Sequence, residues 1–119
     1  MLNPDQFTQH VNANGGASYR ISDNAVPSSG FMVSRSGHEQ IVSSPLHPDH
    51  VKSFLNEHVK GSTGDPYLGA WVHNQKTYLD LSDQYTHKSS AILAGKKNNQ
   101  LAIYDVGNDK EIKVRSDQS

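Results

Sequence analysis

The sequence predicts an α+β domain, a mainly antiparallel sheet with two helices packed on it, in the order β-β-β-α-β-β-α-β-β. Three observations predict it. Several short runs alternate apolar and polar residues, the period of a half-buried strand. One stretch repeats its apolar residues at helical period instead. Gly, Pro and Asn fall between these runs, where the chain has to turn. The 119 residues are the size of one ordinary domain.

Residues 1–17 are polar and end in Asn14-Gly15-Gly16, so they are expected to form a flexible N-terminal segment. The domain is expected over 18–115, with a frayed tail over 116–119. A first strand is expected at 18–21, followed by a loop over 22–30 that holds Pro27, Ser28, Ser29 and Gly30. Phe31 and Val33 share one face of a second strand at 31–35. Ser36-Gly37 is read as a turn, and 38–43 as the return strand.

The first helix is the clearest element. Val51, Phe54, Leu55, His58 and Val59 form a single stripe. Pro48 suits the first turn, Asp49 complements the positive end of the dipole, and Lys60-Gly61 close the helix. After a loop, 67–73 and 77–81 alternate as two strands, with Asn74-Gln75 as a two-residue hairpin turn. Thr86 is expected to cap a second helix from His87 to about Lys97, ended by Asn98-Asn99. Strands at 101–106 and 111–114, joined through Gly107-Asn108-Asp109, complete the order.

Composition narrows the function classes. Hydrophobic residues make up 34% of the chain and mean hydropathy is -0.70, which suits a modest core with generous loops. The formal net charge of -1 argues against disorder, which calls for high charge as well as few apolar residues. The 11 Lys and Arg residues are scattered among 12 Asp and Glu, so nucleic acid is not a favoured partner and an acidic DNA mimic is unsupported. Without cysteine there is no disulfide, thiolate nucleophile or zinc–thiolate site. No apolar run approaches membrane-spanning length, and the first ten residues lack the pattern of a secretion signal. The expectation is therefore a cytoplasmic protein, with no membrane partner and no cofactor.

Histidine is the one enriched reactive type, with seven residues. His47 and His50 flank Pro48-Asp49 and are the weak candidates for a metal site, which would need His38 or Glu39 to complete it. The simpler reading places both on the surface, and makes His58 a boundary residue of the helix with one nitrogen bonded. Ser36, set between Arg35 and Gly37-His38-Glu39, imitates a nucleophile with its base, but a tight turn explains Ser-Gly better. If the hairpin register permits, Trp71, His73, Tyr78 and Asp80 share one strand face. Such a polar-aromatic surface suits a protein interface, a small ligand or a nucleotide; the alternative of equal weight makes Trp71 and Tyr78 the second face of a sheet covered by a helix. No catalytic residue is assigned, and phosphate-binding, nucleophile-elbow, paired-histidine zinc and calcium motifs are all missing.

Gly30-Phe31-Met32-Val33-Ser34 with Gly37-His38-Glu39, Gly69-Ala70-Trp71-Val72, Tyr78-Leu79-Asp80-Leu81-Ser82 and Asn98-Asn99-Gln100-Leu101-Ala102-Ile103-Tyr104-Asp105 carry a resemblance. In motif order the chain resembles small proteins and domains of phages and mobile elements, spread among actinobacteria and their relatives. The resemblance implies a phage, prophage or plasmid origin, with work done on host machinery or phage particles in the cytoplasm of a bacterial host cell, and no catalytic residues. The leading expectation is a non-enzymatic interaction protein with a protein partner, such as an inhibitor of a host defence system (CRISPR or another nuclease). One alternative is a small hydrolase or transferase acting on nucleic acid or nucleotide through His47, His50, Asp80 and Glu39. Another is a component of particle assembly.

Overall fold

Over the described residues, alternating sequence becomes six strands in one sheet. A computed structural model describes residues 1–115; the frayed tail expected over 116–119 lies outside the described residues. The strands are β1 (Gly16–Arg20), β2 (Phe31–Ser43), β3 (Tyr67–His73), β4 (Lys76–Tyr85), β5 (Ala102–Asp105) and β6 (Lys110–Lys113). They run in the order β1-β3-β4-β2-β5-β6, and every neighbouring pair is antiparallel. Three helices accompany them among the described residues: α1 (Pro4–Asn14), α2 (Pro48–His58) and α3 (Lys88–Lys97).

All three helices cover the same face of the sheet. Phe7 and Val11 of α1 and Val51 and Phe54 of α2 are fully buried against Tyr19, Leu68, Ala70, Leu79 and Leu81. Ala91 of α3 is buried with Val33, Ile103 and Val114 in a second, smaller core. The register pairs Val33 with Asp83 and Phe31 with Asp105, so Val33 and Ile103 point the same way as Leu79 and Leu81. Among the described residues, the other face therefore has no helix over it. The outcome is the predicted α+β class, with helices segregated to one side of an antiparallel sheet.

Three elements differ from the sequence reading. The first is the N-terminus, where α1 replaces the expected flexible segment and makes three helices instead of two. Asn3 caps it, its side chain accepting from the Gln6 amide at 3.0 Å; Pro4 opens it, and Gly15 ends it at φ +80°. Within the helix only Phe7 and Val11 supply an apolar stripe, and Leu2 joins them in the core from just outside it. That weak periodic signal hides a helix that its tertiary contacts hold.

The second difference is at Ser36-Gly37, which does not reverse the chain. β2 continues through it, and residues 35–38 stand opposite the single residue Leu81 of β4. Gly37 adopts φ +76°, so a glycine serves this wide bulge as it would have served a turn. The physical reason is β4, which runs four residues beyond the predicted end at Leu81. It pairs with both halves of β2, whereas a hairpin would have paired the halves with each other. Arg35 clamps the bulge. Its Nε and Nη2 donate to the two Asp83 oxygens at 2.8 and 2.6 Å, and Nη2 also donates to the Thr63 carbonyl at 2.9 Å.

The third is smaller: His87, not Thr86, is the cap residue of α3, and it makes no side-chain cap hydrogen bond. By contrast, Asn74 and Gln75 both take positive φ, 50° and 63°, and form the two-residue turn expected between β3 and β4.

Candidate functional site

The Asn74-Gln75 turn sets the register that decides which side chains meet. It places Trp71 opposite Tyr78, Gly69 opposite Asp80, and His73 opposite Lys76. Alternation then puts Trp71, His73, Tyr78 and Asp80 on the helix-free face, since Leu79 and Leu81 belong to the core. The rings of Trp71 and Tyr78 stack at 5.1 Å between centroids and 7° between planes. Trp71 remains 41% exposed. On its other flank β1 offers Gly16, which has no side chain to cover the indole. His73 sits beside the hairpin turn, exposed, at the next position of this face beyond Trp71.

Asp80 behaves differently from its neighbours. It is only 5% exposed, and its carboxylate accepts from Ser34 Oγ at 2.7 Å and from Ser82 Oγ at 3.3 Å. Burial pushes its pKa above the ordinary carboxylate range. The two serine hydroxyls oppose that shift, and the nearby negative charge of Glu39 adds to it. Gly69 makes room for this carboxyl, because a Cβ there would stand 2.5 Å from Asp80 Oδ1. Ser34 was not among the residues singled out in the sequence. It lies 46 residues from Asp80, and only the β2–β4 pairing brings it there.

The sheet curls, and its open face encloses a cleft of about 930 Å³ with Asp80 in its wall. Residues of both edge strands line it, Gly16 and Ser18 from β1 and Glu111 from β6. Of the seven large hydrophobic residues left most exposed among the described residues, Val26, Trp71, Leu101 and Tyr104 line this one cleft. A fifth, Ile41, pairs with Tyr78 and faces the same side. Among the described residues the charged lining is Glu39, Asp80, Asp109 and Glu111, with no Lys, Arg or His. Tyr104 donates its hydroxyl to Asp109. This arrangement can hold a ligand by apolar contact and by carboxylates. It gives a phosphate no cation to rest on.

The histidines do not join this cleft. His50 Nδ1 accepts from the His47 amide at 3.2 Å, closing the first turn of α2, and the two rings meet edge to face. Both belong to the helix-covered side, so the sheet separates them from Glu39 and Asp80. The four-residue centre expected of a hydrolase or transferase is therefore not assembled. His38, expected as a possible partner of His47 and His50, instead places Nδ1 at 3.3 Å from His58 Nδ1, while the His58 ring lies over Phe54 at 4.4 Å. That pair joins the β2 bulge to α2, and no sequence signal announces it because the bulge sets it. Among the described residues no group of three or more His, Cys, Asp or Glu is placed to hold a metal ion. Ser36 Oγ donates to the Asn98 carbonyl at 2.8 Å, tying the bulge to the end of α3, so it is no nucleophile facing a base. No helix among the described residues is long and apolar enough to cross a membrane. Comparison with family models, with curated proteins and with solved structures found no match.

Proposed function

We propose that this chain is a non-enzymatic binding protein whose helix-free sheet face holds a protein partner. The observation that carries the reading is the convergence of Val26, Trp71, Leu101 and Tyr104 on one cleft. Scattered exposed apolar residues are ordinary on a protein surface. A contiguous set rimmed by polar groups marks an interaction site. Trp and Tyr also dominate the energetics of interfaces, and the stacked Trp71–Tyr78 pair presents a rigid anchor that loses little side-chain freedom on binding. The resemblance to phage and mobile-element proteins supports a host factor as the partner, with a nuclease of a defence system as the specific reading.

The hydrolase or transferase alternative keeps Asp80 and Glu39 but loses its imidazoles. Its nucleic-acid or nucleotide substrate also meets a cleft whose charged lining, among the described residues, is carboxylate only. A role in particle assembly has no residue of its own in its support.

The test compares retention of host proteins on immobilised wild type, Trp71→Ala, Tyr78→Ala and Leu93→Ala, the last removing an exposed side chain of α3. Retention of a specific protein should fall at least tenfold for the two variants of the stacked pair and stay unchanged for Leu93→Ala, with all melting curves alike. Equal retention by Trp71→Ala in a folded sample rules the surface out.

A further inference from the structure

We propose that the cleft takes a basic segment of its protein partner, one that presents lysine or arginine side chains. The inference rests on the reading of the cleft as a binding surface and adds the chemistry of what enters it. Four carboxylates from β2, β4, β6 and the turn before β6 face one space: Glu39, Asp80, Glu111 and Asp109. They come from positions spread across 73 residues of sequence, so no local acidic run accounts for them, and the described lining residues include no Lys, Arg or His. Arg20, on the same face of β1, is already held by Asp23 at 2.7 Å and by Asp65 at 3.7 Å. Lys113 of β6 also points to this side and has interactions of its own.

The apolar lining agrees with the charge. Lysine and arginine carry long hydrocarbon stems that lie on apolar surface while the charged end finds a carboxylate. Trp71 and Tyr104 add ring faces that attract a cation. An acidic or phosphorylated partner would meet only like charge here, which is the repulsive half of specificity. A cleft running from one edge strand to the other suits an extended chain.

Trp71 is the sole tryptophan, so its fluorescence reports on the cleft alone. Three peptides of equal length serve as probes: one rich in Lys and Arg, one with Glu at those positions, and one with Ser. The basic peptide should shift Trp71 emission saturably, and the Glu and Ser peptides should not. Glu39→Gln combined with Glu111→Gln should weaken binding at least tenfold, while Glu57→Gln on α2 should leave it unchanged. Raising salt from about 50 mM to about 500 mM should weaken it further, because exposed pairs are screened. A Ser or Glu peptide that binds as well as the basic one overturns the inference but leaves the cleft as a binding surface. Equal weakening by Glu57→Gln overturns it too, since attraction to net charge alone would explain the result. If no peptide shifts Trp71 emission while partner retention still depends on Trp71, the basic segment is wrong and the surface stands. If retention is also indifferent to Trp71, both fall.

Discussion

Asp80 is a residue whose ordinary place would be in water. It sits in the wall of the cleft at 5% exposure, with two hydroxyls and no cation to offset the loss of hydration. Because its folded-state pKa is raised, the folded chain holds that proton more tightly than the unfolded chain does. The stabilising contribution is fully present below the unfolded carboxylate value of about 3.9 and is lost as pH rises through the raised value. Asp80→Asn removes the charge and keeps a carbonyl oxygen for the Ser34 hydroxyl. It should therefore stabilise the protein by about 1 kcal/mol at neutral pH, with the advantage shrinking as pH falls towards 3. Denaturant melts of both proteins at pH 7 and near pH 3 check this, and a variant less stable at both pH values contradicts it. The side on which Asp80 points was legible, because it alternates with Leu79 and Leu81. Its environment was not, since Ser34 and Glu39 reach it only through a long-range pairing whose register shifts at the bulge.

At the scale of elements, the same physics explains which parts the sequence revealed. α2 announces itself because five positions fall in one stripe. Its N-terminal proline and acidic first turn agree with that stripe. α1 has a cap, a proline and a closing glycine of equal quality, but only two apolar side chains to join them. Local caps without a stripe read as loop; it is burial of Phe7 and Val11 that makes the helix worth forming. Phe7 also meets Tyr19 edge to face at 5.4 Å. Phe7→Ala should thus cost about 3–5 kcal/mol, the range for a deleted core phenylalanine. That corresponds to a fall of more than about 10 °C in melting temperature. A segment contributing nothing to the core would leave the melting temperature where it was, so calorimetry separates the two descriptions. The misread bulge has a matching cause. Ser36-Gly37 satisfies a turn and a bulge alike, and only the length of β4 chooses between them.

For the whole molecule, the open face is not a sign of loose packing. The radius of gyration is 13.6 Å, close to the roughly 13.5 Å expected for a chain of this length. What distinguishes the molecule is how charge is divided over it. The total is -1, yet the cleft gathers four carboxylates with no Lys, Arg or His among its described lining residues, so the rest of the chain carries a small net positive formal charge. Composition averages this away, because the four acids are far apart in sequence and only the curl of the sheet assembles them. The local field should be readable at Trp71 without any partner. Within a Debye length of about 10 Å at 0.1 M salt, carboxylates concentrate cations and repel anions. Caesium should therefore quench Trp71 more effectively than iodide does, each measured relative to a free tryptophan derivative. Replacing Glu39 and Glu111 with Gln should bring the two ratios together, and high salt should do the same. If iodide proves the better quencher in the wild type, the field at the indole is positive. The cleft would then repel the lysines and arginines assigned to it.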